Sequence, residues 1–175
     1  SLWGAYRAGM LDDYLQNQWV NMPPMDISDV AYDAFWVNGA PRRQLTGTAG
    51  ERVKLRLINA GAATYFYVHS ATGPLTVVAA DGMPVQPFAR KRLLMGMGET
   101  YDVIVTVPDG GRYEVRATAQ DGSGHASLFL GAGEQHPAAV IPKPKLYSMD
   151  WMLAGMDDES PGDLESARPL APYVA

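Results

Sequence analysis

Three methionines have the clearest metal-ligand spacing in this sequence. Met149, Met152 and Met156 lie three and four residues apart in the stretch KLYSMDWMLAGMDDES. On a short helix they would share one face, where they could simply pack against the domain. Their thioether sulfurs are also soft ligands of the kind that suit Cu(I). The spacing leaves both interpretations open and by itself favours packing.

The three histidines are His69, His125 and His136, and they form neither an HxH nor an HxxxH spacing. His69 falls at the end of a predicted strand, His125 in the glycine-rich stretch DGSGH, and His136 beside a proline in a predicted linker. A three-ligand site assembled across the fold is geometrically possible, but a structural role is the simpler interpretation of each. The chain contains no cysteine, which excludes a disulfide, a thiolate zinc site and a blue-copper site built from this chain alone.

The carboxylates and glycines do not form a catalytic motif. Asp26, Asp29 and Asp33 lie close together, but aspartates near turns commonly bond their own backbone. Glu99 and Asp102 have no partnering base near them in the sequence. No GxSxG motif occurs, and the glycines of LLMGMGET lack the following helix that a phosphate site needs. We therefore assign no catalytic and no cofactor-binding residue to this chain.

Length and composition are those of one globular domain with extensions. The chain has 175 residues, of which 47% are hydrophobic and 19% charged, and its net charge is −5. An acidic chain without a long basic cluster is a poor partner for nucleic acid or an anionic membrane. No apolar run reaches the ~20 residues of a transmembrane helix. The start of the chain does not resemble a signal peptide and lacks an initiator methionine, as expected of a mature product or a piece of a longer protein.

From residue 30 onward the sequence consists of short β-type runs separated by turn residues. The stretch RVKLRLI at 52–58 alternates apolar and polar side chains, as a strand with one buried face does. About eight such runs recur at intervals of roughly ten residues, which is typical of a β-sandwich or barrel. The runs are 34–37, 52–58, 65–69, 75–79, 91–95, 101–107, 112–119 and 126–130.

Both ends of the chain lack the β-type runs of this middle part. Residues 1–24 are predicted to be an irregular extension, in which glycines and a proline pair limit helix to a turn or two within 5–20. Residues 25–136 form the predicted domain. Prolines mark 137–175 as a linker.

Five sequence segments, taken in their order along the chain, resemble those of a known protein family. MDISDVAYDAFWVNGAP, GERVKLRLINAGAATYFYV, LTVVAADGMPVQP, GETYDVIVTVP and YEVRATAQDGSG together resemble the second plastocyanin-like domain of multicopper oxidases, in particular the copper-resistance oxidases of bacterial periplasms. The resemblance implies an all-β, cupredoxin-like Greek-key β-sandwich with irregular N- and C-terminal extensions. It also implies a periplasmic or secreted protein.

In that family the second domain is expected to carry no copper ligand of its own. Its partners are the first and third cupredoxin domains of the same polypeptide, which hold the copper. The parent enzyme would oxidise Cu(I) or a phenol-type substrate and reduce O₂ to water, whereas this chain alone is expected to be inactive. Where copper-bearing domains show HxH, this chain reads YFYVHS, which leaves His69 without a partner histidine.

The resemblance also supports the copper-binding interpretation of the methionine segment. Two other hypotheses about the function remain open. Copper-resistance oxidases carry a methionine-rich stretch after this domain, so Met149, Met152 and Met156 become candidate Cu(I) ligands, although no histidine accompanies them here. A second hypothesis is a free-standing periplasmic copper-binding module that uses these methionines. A third is an Ig-like interaction module without a metal. If the domain is excised from a longer chain, we expect exposed apolar patches where its partners belong.

Overall fold

The structure, a computed structural model, describes residues 2–7, 9–12, 15 and 32–142. In these residues the chain forms the helix α1 and ten strands. They are α1 (Leu2–Arg7), β1 (Arg42–Leu45), β2 (Arg52–Ile58), β3 (Phe66–Ser70), β4 (Leu75–Ala80), β5 (Met83–Arg90), β6 (Arg92–Met95), β7 (Thr100–Thr106), β8 (Gly111–Ala119), β9 (His125–Gly131) and β10 (Glu134–His136). The turn or two of helix predicted within 5–20 overlaps the end of α1, which begins at Leu2, and the described residues 11, 12 and 15 are also helical.

The strands form two sheets, as the sequence predicts. One sheet has the order β1-β9-β8-β3-β6, with β10 paired to β8, and the other has the order β2-β7-β4-β5. Most strands that follow one another between β1 and β8, such as β2 and β3, lie in different sheets, so the chain crosses repeatedly between the two layers. This arrangement confirms the predicted all-β sandwich.

The core lies between the two sheets and follows from the alternation of the strands. In β2, Leu55 is buried and lies opposite the fully buried Val103 of β7. Burying one such aliphatic side chain contributes about 1.5–3 kcal/mol. The six-stranded sheet supplies Val68, Leu93 and Val115 to the same cluster. Both sheets therefore have one apolar inner face, and His69 of β3 and Glu114 and Arg116 of β8 lie on the opposite, outer face.

Two tight turns agree with the turn signals of the sequence. Asn38 and Gly39 have positive φ angles of 48° and 77°, and Val37 and Ala40 exchange both backbone hydrogen bonds across them. Asp81 and Gly82 have φ angles of 45° and 79° between β4 and β5. Positive φ at both central residues defines the turn type that matches strand twist, and Asn-Gly and Asp-Gly are its preferred sequences.

The structure differs from the predicted strands in four places. The run 34–37 is not a strand and contributes only the bridge at the Asn-Gly turn. Strand β5 was not predicted because it contains Pro84 and Pro87, but it is the edge strand of its sheet, where proline is tolerated. Strands β1 and β10 are short and mostly exposed. They have no apolar alternation by which the sequence could identify them.

Candidate functional site

The residues predicted to bind Cu(I) lie outside the described part of the chain. Met149, Met152 and Met156 follow residue 142, the last one the structure describes. Asp26 and Asp29 also lie outside it. The copper interpretation of the methionines therefore stays a prediction.

The three histidines lie on separate strands and do not converge. His69 is in β3, His125 is the exposed first residue of β9, and His136 is in β10 rather than in a linker. The strand register and spacing separate the backbones of His69 and His125 by about 12 Å. The ring of His136 stacks on Tyr113 at 4.4 Å between centroids. In residues 2–142 as described, no group of three His, Cys, Asp or Glu residues could hold a metal ion.

Two of the carboxylates noted in the sequence, Asp102 and Glu99, have structural partners. Asp102 in β7 accepts hydrogen bonds from Lys54 and Arg56 of β2, each at 3.0 Å. Hydrogen bonds from these two residues lower its pKa. Glu99 accepts from the Gly96 amide at 2.8 Å and closes the turn between β6 and β7.

A cluster of buried, mutually hydrogen-bonded polar side chains lies on the outer face of the six-stranded sheet. We call it the exit anchor and define it as His69, Glu114, Arg116 and Ser127. Arg116 of β8 is paired with His69 on one side and Ser127 on the other. Glu114 lies two residues before Arg116, so the alternation of the strand turns both side chains to the same face.

Glu114 is the centre of the exit anchor, and it is 1% exposed. Its carboxylate accepts two hydrogen bonds from Arg116, at 3.0 and 2.9 Å, and one from the Ser127 hydroxyl. It also accepts from the backbone amide of Ala138 at 2.9 Å. Burial, the largest influence, acts to raise the pKa of Glu114, but the bonds from Arg116, Ser127 and Ala138 together outweigh it and hold this pKa below its usual range.

His69 makes the second contact to the same stretch of backbone. Its Nε2 lies 2.7 Å from the carbonyl oxygen of Ala139, and a carbonyl only accepts, so Nε2 carries the proton. Its Nδ1 is buried without a hydrogen-bond partner in the described residues. Burial is the main cause that lowers the pKa of His69; nearby Arg116 and Arg92 lower it further, against the opposing effects of Ala139 and Glu114.

The exit anchor fixes the backbone that follows β10. We call residues 137–142 the exit segment. Ala138 is 4% exposed where it bonds Glu114, whereas Val140, two residues on, is 79% exposed. The chain is therefore held flat against the sheet at 138–139 and emerges into solvent directly afterwards.

These side chains do not fit a copper centre. Copper in this kind of fold needs several convergent imidazole or thiolate ligands. In the described residues His69 is the only histidine of the buried cluster, and its Nε2 is engaged by a backbone carbonyl. Its neighbour Arg116 brings a positive charge to the same face.

The sequence analysis assigned no role to Glu114, Arg116 and Ser127. The only signal was the pair of opposite charges two residues apart in YEVRATA, a strand that is otherwise alternating. An outward-facing Glu and Arg on a strand usually face solvent. The burial of Glu114 depends on the backbone of Ala138, 24 residues later, which a local pattern does not reveal.

Comparisons with known proteins agree on one family. The model of the family described as Multicopper oxidase matches residues 11–133. Copper resistance protein A of Escherichia coli is 38% identical over 151 residues, which are 82% of this chain and 25% of that protein. Multicopper oxidase MmcO of Mycobacterium tuberculosis is 35% identical over 135 residues, which are 75% of this chain and 26% of that protein.

The fold is shared with a solved structure. The crystal structure of Fet3p, a multicopper oxidase that functions in iron import, superposes with a TM-score of 0.51 at 16% identity, over 61% of this chain and 22% of that one. The chain spans about a quarter of the length of the curated relatives that it matches. From the family match and these identities, the chain belongs to the multicopper oxidase family.

Proposed function

We propose that this chain is a non-catalytic cupredoxin domain of a multicopper oxidase, in which it holds neighbouring domains in register. The observation that carries the proposal is the bond between His69 Nε2 and the Ala139 carbonyl. His69 lies on the strand where copper-bearing domains show HxH, and here it donates a hydrogen bond to the backbone. Together with Glu114, it directs the chain that follows the domain.

The domain division belongs to the same proposal. Residues 25–136 are the cupredoxin-like domain, 1–24 an N-terminal extension or linker, and 137–175 a linker toward a third cupredoxin domain. The anchoring of 138–139 to the sheet supports this because a spacer domain must fix the direction in which its linker leaves. The Ig-like module without a metal connection is inconsistent with the family match.

An apolar rim at one end of the sandwich supports the proposed partner domains. We define the rim as Ile58, Tyr65 and Met97, which are 62%, 39% and 43% exposed. The buried Asn59 connects them: its carbonyl accepts from Gly98 in the turn that carries Met97. Exposed apolar side chains grouped in this way are typical of a surface that is covered by a partner. Here that partner would be the first or third cupredoxin domain.

The parent enzyme, on this proposal, binds copper in the other domains and oxidises Cu(I) or phenol-type substrates while reducing O₂ to water. Relatives of this chain include copper resistance proteins and laccases, which supports both substrate classes. A periplasmic or secreted location is part of the same proposal. In the described residues no helix is long and apolar enough to span a membrane.

Copper stoichiometry of the purified chain tests the proposal. We would load the chain with Cu(II) in air and with Cu(I) under reducing conditions, remove weakly bound metal, and record copper content, the visible spectrum and phenol oxidation. We expect no retained copper, no absorbance and no oxidation. Retained copper that is lost in His69→Leu would overturn the proposal.

The same experiment separates the alternative, a free-standing module that binds Cu(I) through methionines. One equivalent of Cu(I) that is lost when Met149, Met152 and Met156 are all replaced by Leu would favour this alternative. Met83→Leu is the matched control because Met83 is an exposed methionine in β5. Loss of Cu(I) in the control as well would indicate nonspecific thioether binding.

A further inference from the structure

A cleft lined by arginines lies on the same sheet as the exit anchor and is not explained by a spacer role. We call it the arginine cleft. It has a volume of about 190 Å³ and is lined by Arg42, Arg43, Gln44, Arg112, Phe129 and Gln135. None of the six is acidic. The volume far exceeds the ~10–15 Å³ that one water molecule requires, so a small polyatomic ion fits.

The strand register assembles this cleft from four strands of one sheet. Gln44 of β1 is paired with Phe129 of β9, and Gln135 of β10 is paired with Arg112 of β8. The guanidinium carbon of Arg112 lies 5.8 Å from the centre of the Phe129 ring. The ring therefore forms an apolar floor beneath the positive charge, which strengthens any contact made there because water is excluded from one side.

Two of the arginines have hydrogen-bonding capacity that the described residues do not use. Arg112 donates from Nη2 to Gln135 at 3.3 Å, but its Nε is buried without a partner in residues 2–142 as described. Leaving a buried donor unsatisfied is unfavourable, more so on a charged group. In the same residues the guanidinium group of Arg42 makes no hydrogen bond or ion pair. Arg43 differs because its guanidinium donates to the Asn38 carbonyl.

We propose that the arginine cleft binds a small multivalent oxyanion, either a phosphate or a polycarboxylate. Guanidinium groups match the geometry of both, because each can donate two parallel hydrogen bonds to two oxygens. The amides of Gln44 and Gln135 add polar groups at the edge. The chain as a whole carries a charge of −5, so general attraction does not draw anions to it, and binding would depend on these local contacts.

Glu114, a carboxylate on the same face of the sheet, does not fill this role. Glu114 lies two residues from Arg112 on β8 and is paired with Phe129. Its oxygens are already engaged by Arg116, Ser127 and the exit segment. The positive charge of Arg112 and Arg42 is thus left for an external anion.

Nuclear magnetic resonance of the arginine Nε–H groups tests the proposal on the whole chain. We would titrate inorganic phosphate and citrate separately, with NaCl added to keep the ionic strength constant. We expect saturable shifts of the Arg112 Nε–H signal in the wild type. The affinity should be at least tenfold lower in Arg42→Gln, followed at the Arg112 Nε–H, and in Arg112→Gln, followed at the Arg42 Nε–H. Tighter binding of citrate would assign a carboxylate ligand, and tighter binding of phosphate would assign a phosphoryl ligand.

Arg52→Gln is the matched control. Arg52 is an exposed arginine of β2 in the other sheet, so the variant changes the net charge equally but leaves the cleft intact. We expect its affinity to stay within about twofold of the wild type. Absence of saturation, or an equal loss of affinity in Arg52→Gln, would overturn the proposal. Arg42 is exposed on an edge strand, so its variant remains folded and the test does not depend on Arg112 alone.

Discussion

Two carboxylates of this domain accept hydrogen bonds from arginine at almost the same distance, but their surroundings are opposite. Asp102 accepts from Arg56 at 3.0 Å on the solvent face of the four-stranded sheet. Glu114 accepts from Arg116 at 3.0 and 2.9 Å on the outer face of the other sheet. The side chain of Arg56 is 68% exposed, whereas that of Arg116 is 13% exposed.

The difference lies in what covers each pair. An exposed pair gains little because water screens both charges and competes for them. A buried pair has lost that water, so removing one partner leaves an uncompensated charge and is strongly destabilising. The cover over Glu114 is the exit segment itself, whose Ala138 amide is one of the donors. The buried pair therefore couples the exit segment to the sheet, whereas Asp102 joins only β2 and β7.

The largest effect is expected from Glu114→Gln. The change keeps the shape of the side chain but leaves Arg116 without its counter-charge, so we expect a loss of about 3–5 kcal/mol in the free energy of unfolding. Urea denaturation at pH 7 measures it. A loss no greater than that of Asp102→Asn would contradict the comparison.

The pH dependence of the wild type gives a second test of Glu114. Its pKa is held below the ordinary value of 4.5, so the unfolded chain takes up a proton at higher pH than the folded one. The stabilisation is present above pH 4.5 and is lost as the pH falls through the folded pKa. Glu114→Gln should flatten this part of the curve of stability against pH.

An intermediate effect is expected from His69→Leu. The variant leaves the Ala139 carbonyl without its donor, which costs about 1–2 kcal/mol. The pKa of His69 is below its ordinary 6.5, so the unfolded state binds its proton first, and wild-type stability falls as the pH drops below 6.5 until the folded pKa is reached. Arg116 and Arg92 face this ring and oppose its protonation, whereas Glu114 favours it.

Urea denaturation between pH 5 and 7.5 checks this expectation. The variant should be less stable at pH 7.5 and should lose part of the slope that the wild type shows below pH 6.5. Parallel curves for the two proteins would show that His69 does not contribute in this range.

The smallest effect is expected from Asp102→Asn. Its cationic partners remain solvated when the carboxylate is removed, so the unfolding midpoint in urea should change least of the three variants. Any difference in the urea midpoint between this variant and the wild type should vanish at about 1 M NaCl, where the screening length is about 3 Å. A large effect that persists in salt would mean that this pair is as important as the buried one.

The sequence predicted the regular part of the fold well. Strand β2 was predicted at 52–58 and occurs there, because RVKLRLI alternates so clearly that one face must be buried. Strand β5 was not predicted because its prolines argue against a strand unless its place at the sheet edge is known. The short strands β1 and β10 depend on neighbours that are distant in the sequence, and they pair in parallel with β9 and β8.

The candidate sites were harder to predict for the same reason. His69 was singled out in the sequence, but its partner is the carbonyl of Ala139, 70 residues away. Glu114 looked like an ordinary outward-facing residue because the exit segment that buries it is invisible to a local pattern. The arginine cleft likewise joins Arg42 to Arg112 only through the pairing of three strands.

Hydrogen exchange at the Ala138 amide tests the central claim most directly, namely that the buried cluster holds the exit segment against the sheet. In the wild type this amide should exchange slowly, at a rate close to that of the core strands, because its acceptor is the buried carboxylate of Glu114. Protection should drop sharply in Glu114→Gln and stay unchanged in Asp102→Asn. Exchange of the wild-type amide at the rate of an unstructured peptide would contradict the account.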